Sequence, residues 1–225
     1  MAIQYKSVYN RRVGGKKKTK PPMRKPKVPI RYQVADTAYK AYKGAQYLRG
    51  LINVERKHFD TNIAMLAGYG GAQYYLNHMV QGSTDITRNG DSILAKSINI
   101  TGVIKNNSAG LPSTLRLLVI RDNNDTMSTS DLLEYQGTKY VTFAPFKKDK
   151  VKRFIVHYDK LFTTDDTNNK YIPFTINLTS LDKHTMYDVG TSNINLNAYK
   201  LYIYNSTNVN GPDLDIVTRF TFYDN

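Results

Sequence analysis

Cysteine and tryptophan are absent from the 225 residues, and each absence removes a class of chemistry. Without thiols there is no disulfide framework, no Cys-ligated zinc or iron–sulfur cluster and no cysteine nucleophile. Histidine is scarce as well: His58, His78, His157 and His184 are scattered, in neither HxH nor HExxH spacing. No GxSxG elbow occurs, and Ala67, Gly68, Tyr69, Gly70, Gly71 lacks the lysine and hydroxyl of a phosphate-cradling loop. Asp122, Asp125, Asp165 and Asp166 read as turn formers before calcium ligands. The sequence therefore predicts no enzyme, no cofactor and no metal site. Charged residues make up 22% of the chain and interrupt its hydrophobic stretches, so no membrane insertion is expected. The first ten residues lack the apolar core of a secretory signal, which predicts a protein made and used inside the cell.

Acidic residues are missing from one place in particular. Residues 1–31 carry eleven cations (Lys6, Arg11, Arg12, Lys16, Lys17, Lys18, Lys20, Arg24, Lys25, Lys27 and Arg31) and no Asp or Glu. The formal charge of +14 divides into +11 on this arm and +3 on residues 32–225, which hold 21 basic and 18 acidic side chains. Gly14, Gly15, Pro21, Pro22, Pro26 and Pro29 interrupt any helix, and the arm has too little apolar surface to offset its chain entropy. A disordered arm of this charge binds polyanions by counterion release, steeply salt-dependent and without base readout. All eleven cations are thus predicted nucleic-acid contacts. Lys16, Lys17, Lys18, Lys20, Arg24, Lys25 and Lys27 also fit a nuclear-import signal. Tyr5, Tyr9 and Tyr32 are placed either to stack on unpaired bases or to tuck under the folded domain.

Residues 32–50 form a second region, a short helix or an extended strap, with Asp36 a possible N-cap and Gly44 and Gly50 limiting its length. From residue 51 to 225 the chain reads as all-β. Ile172, Phe174, Ile176 and Leu178 alternate with Pro173, Thr175, Asn177 and Thr179, one face dry and the other wet. Phe154, Val156, Tyr158 and Phe162 form a second predicted inward row, and Leu94, Ile98, Ile100 and Ile104 a third, interrupted at Lys160 and Lys96 respectively. Leu117 to Ile120 is apolar on both parities, so that strand needs cover on both sides and belongs to the core. Further strands are expected near Val54–Ile63, Met186–Val189, Tyr199–Tyr204 and Ile216–Tyr223. Eight antiparallel strands with two long connections, Ala64–Asp91 and Asn123–Asp149, favour a two-sheet jelly roll over an up-and-down barrel.

Four stretches, in order, carry a resemblance. They are Leu51 to Lys57 followed by Phe59 and Asp60; Arg88, Asn89, Gly90, Asp91, Ser92, Ile93 followed by Lys96, Ser97, Ile98; Leu115 to Asp122; and Arg219 to Asp224. Together with the basic arm, the chain resembles the capsid proteins of circular single-stranded DNA viruses that encode their own replication initiator, the circovirus-like and cyclovirus-like group. It departs from them in mixing Lys with Arg in the arm and in having no Trp. The resemblance implies a T=1 icosahedral shell of sixty copies, single-stranded DNA as cargo, import into the host nucleus for assembly and a host cell-surface receptor. Two readings stand beside it: the coat of a small RNA or satellite virus, and a non-viral nucleic-acid-binding β-barrel module with a basic tail.

Overall fold

The computed structural model describes residues 39–44, 55–66, 68–106, 112–165, 171–208 and 211–224. The chain divides into two units, Met1–Ile52 and Asn53–Asn225. In the first, a helix α1 spans residues 39–44, so the described part of the expected helix or strap is helical. Tyr39 and Tyr42 are exposed on it.

The second unit is an antiparallel sandwich. Its strands are β1 (Arg56–Leu66), β2 (Ala72–Tyr75), β3 (Ser92–Lys105), β4 (Ser113–Asp122), β5 (Phe154–Thr164), β6 (Tyr171–Tyr187), β7 (Ile194–Leu196), β8 (Ala198–Asn205) and β9 (Asp213–Asp224). One sheet runs β1-β9-β3-β6-β7 and the other β2-β8-β4-β5. With the three-residue β7 set aside, the eight remaining strands split four and four between two sheets; β1 to β4 alternate between them, β5 pairs with β4 in the same sheet after a long connection, and β6 returns to the other. This is the jelly-roll arrangement the sequence predicts. Among the described residues no helix is long and apolar enough to cross a membrane.

The strongest alternation lands as read: Phe174 and Ile176 are buried while Pro173, Thr175 and Asn177 are exposed. Two other rows change face midway. The β3 register slips at Lys96, so Ile93 and Ala95 point inward before it and Ile98, Ile100 and Ile104 after it. Leu94, expected in that row, lies on the opposite parity. The β5 register slips at His157, which turns Phe154 to the outer side of its sheet and leaves Val156 exposed, with Tyr158 and Phe162 against the main core. A single extra residue reverses which side chains face in, so strict period-two counting fails past it. Of the strand expected at Met186–Val189, Met186 and Tyr187 are the end of β6, which carries positive φ at Ser180 and Asp182, while Val189 lies in the turn that follows.

Leu117 and Val119 join the core between the sheets, whereas Leu118 and Ile120 belong to a second cluster on the outer face of β4. Met127, Leu132, Leu133, Val141 and Ala144 from the long connection between β4 and β5 cover that face, together with Tyr202 and Tyr204 of β8. The connection is not open chain: it carries α2 (Thr129–Leu132), started by Ser128 and Asp131 as a capping box, and two short 3-10 turns, Val141–Phe143 and Val151–Arg153. Each apolar side chain fully buried in this way contributes about 1.5–3 kcal/mol.

The strands that flank β3 in the five-stranded sheet crowd it at Gly102, where a Cβ would sit 2.7 Å from the Asp215 carbonyl oxygen and 2.9 Å from Phe174 Cζ. Backbone cannot yield as a flexible side chain would, so Gly102→Ala is expected to destabilise the unassembled subunit by about 1–3 kcal/mol in urea unfolding. An unchanged midpoint would show that β9 yields there.

Candidate nucleic-acid and assembly surfaces

The eleven cations of the predicted nucleic-acid site, Lys6 to Arg31, and the import signal among them lie outside the described residues, as do Leu51 to Val54 of the first resemblance stretch. What the structure places is the set of loops at one end of the sandwich, through which β2 leads to β3, β4 to β5 and β6 to β7 and β8. Three buried charge clusters hold them.

The first is built on Arg88, which has no exposed surface. Its guanidinium donates to the carbonyls of Gly90 and Thr191 and pairs with Asp91 Oδ1 at 3.1 Å. Its plane lies over the Tyr187 ring, 4.2 Å from the centroid. Five fixed N–H donors and a flat face suit arginine to tie the segment before β3 to the turn after β6. Burial pushes the Tyr187 phenol well above the ordinary tyrosine range, against the opposing pull of Arg88.

A second cluster joins the two chain ends of the β1–β9 pair. Lys57 Nζ lies 2.9 Å from Asp224 Oδ2, both side chains 2% exposed, and donates to Thr87 O at 3.2 Å. The Asn89 backbone N–H donates to the same carboxylate oxygen at 2.7 Å. Burial acts to lower the Lys57 pKa, but the hydrogen bond and charge of Asp224, aided by Glu55, outweigh it and hold the ammonium protonated.

In the third, Lys200 of β8 reaches Asp122 Oδ2 at 3.0 Å and Asp125 Oδ1 at 2.8 Å and donates to Met127 O at 2.9 Å. The Tyr75 ring closes over it, 4.9 Å to the centroid. Burial opposes the charged form here too, and Asp125 and Asp122 together raise the lysine pKa nonetheless. The two aspartates that sequence reading left between turn formers and calcium ligands are thus held by an ammonium.

The resemblance stretches now have physical roles. Arg88, Lys57, Asp122 and Asp224 are buried fasteners of loops and termini, and the more exposed Asn89 and Asp91 bond to them. Their pairing is not visible in the sequence, because partners such as Lys57 and Asp224 stand 167 residues apart.

Beyond these clusters the loops carry two unlike exposed surfaces, one on the outer face of the four-stranded sheet, where Thr142 O and Ala144 O accept from Arg116 of β4, and one at the loop end around Arg88. Leu133 and Phe146 form an isolated bridge at the base of a loop, and between them Tyr135, Tyr140, Phe143 and Ala144 line an open cleft of about 260 Å³. Lys147, Lys148, Lys150, Lys152 and Arg153 follow directly, with Asp149 the one acid among them. The second surface consists of Val80, Ile86 and Val189, exposed on the segments that Arg88 binds together. Elsewhere, the outer side of the five-stranded sheet pairs its charges, with Arg219 clasping Asp60 through two hydrogen bonds at 2.9 and 2.7 Å and Lys105 bound to Asp215.

The histidines stand apart. His184 Nδ1 is 3.2 Å from Ser92 Oγ, His78 packs by Tyr75, and His157 packs by Tyr199. Burial, with Arg121 nearby, lowers the His157 pKa and favours its neutral form. Among the described residues no group of three or more His, Cys, Asp or Glu is placed to hold a metal ion.

No family model matches the chain, and no curated protein matches it either. Solved structures with a related course of chain include one from Desmodium yellow mottle tymovirus, 10% identical over 92% of this chain and 95% of that one, with a TM-score of 0.39. Another is from a full particle of Israeli acute paralysis virus heated to 63 degrees, 12% identical over 75% of this chain and 71% of that one, with a TM-score of 0.33. Likeness this distant carries no weight for function, which rests on the chain's own charge and surfaces.

Proposed function

We propose that the protein is a viral capsid subunit, a jelly roll that assembles with its own copies into a closed shell around nucleic acid gathered by residues 1–31. The observation that carries this reading is the division of charge: +11 on the arm without one acid, +3 on everything that follows. A nearly neutral sandwich can pack against itself without accumulating repulsion, while the arm remains a polycation in need of a polyanion. The two exposed loop surfaces of the sandwich suit contact with other macromolecules.

The resemblance stated above refines the proposal to a T=1 shell of sixty copies with single-stranded DNA as cargo. Such a shell brings about 660 arm charges to its genome's phosphates, enough for charge to replace sequence recognition. The protein would then reside in the virion, pass through the host nucleus on the strength of Lys16 to Lys27, and meet a host receptor through its loops.

The test is removal of residues 1–31. Shells are expected to form from the shortened chain, with encapsidated nucleic acid falling by about tenfold or more. Electron microscopy and sedimentation report the shells, and absorbance with DNase and RNase digestion reports the cargo and its type. A full-length chain that stays monomeric under all assembly conditions, or a shortened one that keeps its cargo, would overturn the proposal. Cargo that only RNase digests would move it to the RNA-virus reading.

A further inference from the structure

The two exposed loop surfaces, one on the outer face of the four-stranded sheet and one at the loop end, differ in charge as well as in chemistry. On the connection between β4 and β5, Tyr135, Tyr140 and Phe143 are 64%, 59% and 64% exposed. Residues 135–153 hold six cations and a single acid, and Lys148 and Lys152 are exposed. On the other surface Val80, Ile86 and Val189 are 60%, 55% and 83% exposed. Its acids are Asp85, exposed, with Asp91 and Asp188 partly so, and the one Lys or Arg within residues 76–93 and 188–193, Arg88, is fully buried beneath it.

Both surfaces are built firmly. Arg88 crosslinks the acidic one, through Asp91, Gly90 and Thr191. The basic one is anchored by the Leu133–Phe146 bridge, by Glu134 N–H to Pro145 O at 3.0 Å, and by Lys147 N–H to Leu132 O at 3.1 Å. Preorganised aromatic and aliphatic side chains beside an excess of charge of one sign are what a specific protein contact requires, with little ordering cost on binding.

We infer that the aromatic, basic surface of one subunit docks on the aliphatic, acidic surface of the next copy of this chain. The inference rests on the capsid reading and specifies one of its contacts. Because the two surfaces are different patches of one subunit, the contact is head-to-tail, the kind that closes into a ring when the rotation between copies allows. The three aromatic rings and the three aliphatic side chains supply the apolar centre, and lysines meet aspartates around it. Charge sign then fixes the pairing: aromatic surface against aromatic surface brings lysine to lysine and is rejected.

The test reverses charge on each surface in the full-length chain. Lys148→Glu with Lys152→Glu makes one variant, Asp85→Lys with Asp188→Lys a second, and all four substitutions a third. Circular dichroism and thermal unfolding of the unassembled subunits establish that each variant folds. Each two-residue variant is expected to raise the protein concentration needed for particle formation by about tenfold or more, and the four-residue variant to restore it to within about threefold of the parent. Rescue by the combined reversal is the outcome a merely structural or solubility effect would not produce. Two-residue variants that assemble like the parent would overturn the inference. So would variants that assemble normally yet lose packaged nucleic acid, which would make the basic surface a nucleic-acid contact. A parent that forms no particles fails at the capsid reading itself, a result seen before any variant is made.

Discussion

Replacing Lys200 by methionine is expected to destabilise the unassembled subunit by about 3–5 kcal/mol, because it leaves buried carboxylates without their countercharge. Methionine fills most of the volume, so the loss is electrostatic and not a cavity. Asp122, with its side chain fully buried, would keep only the backbone N–H donors of Met127 at 2.7 Å and Asn124 at 3.3 Å. Asp125, 16% exposed, retains some access to water. The cluster fastens the start of the β4–β5 connection to β8, so its loss also weakens the cover over Leu118 and Ile120. Urea unfolding followed by far-UV circular dichroism measures the cost. The companion variant, Lys200→Met with Asp122→Asn, is expected to recover half or more of it, since a neutral amide is far cheaper to bury than an orphaned carboxylate. A loss below about 1 kcal/mol for the single variant would mean that water or another cation replaces the ammonium.

That cluster also marks the boundary between what the sequence shows and what it hides. Tyr199 to Tyr204 reads as a strand with Lys200 in its middle, and because every residue of that strand is buried the lysine needs an acid beside it. Which acid is a matter of tertiary proximity, invisible in one sequence. The alternation of β6 and the doubly apolar stretch of β4 were legible because side-chain parity is a local property of a strand. The face changes at Lys96 and His157 were not, because a bulge adds a residue without a compositional mark. β2 and β7 escaped notice for a different reason: four and three residues long, they offer too few positions to establish a period. The candidate site divides the same way. Charge on the arm is legible residue by residue, although its placement lies outside the described residues, whereas the two loop surfaces exist only after Arg88 and the Leu133–Phe146 bridge have brought separate segments together.

Alkaline conditions should unfold the sandwich steeply, and tyrosine is the reason. Burial raises the phenols of Tyr187, Tyr202 and Tyr204 well beyond the ordinary tyrosine range, further raised at Tyr202 by Tyr204 and nearby acids and partly offset at Tyr204 by Gln136 and Arg116. Each hydroxyl donates to a backbone carbonyl: Tyr187 to Asn77 at 2.7 Å, Tyr202 to Met127 and Tyr204 to Thr129, both at 2.8 Å. Ionisation would turn each donor into an anion facing a carbonyl oxygen. Above pH about 10 the unfolded chain releases these protons and the folded one keeps them, so the folded state binds more protons and stability falls as pH rises, by about 1.4 kcal/mol per pH unit for each group. Three such groups give about 4 kcal/mol per pH unit. Lys57 and Lys200, whose folded pKa values are also raised, act in the same sense, since their contribution to stability is whole below the ordinary lysine pKa and is lost as pH rises from there through the raised folded value. Phenolate absorbance should therefore rise in two stages: exposed tyrosines first, with circular dichroism unchanged, then the buried ones together with loss of structure. Tyr202→Phe separates the two effects of one hydroxyl, lowering stability at neutral pH by about 1 kcal/mol through the lost hydrogen bond while making the alkaline slope shallower. Full phenolate titration in a chain that still gives the native circular dichroism spectrum would refute the account, because buried phenols cannot ionise while the loops that enclose them stay closed.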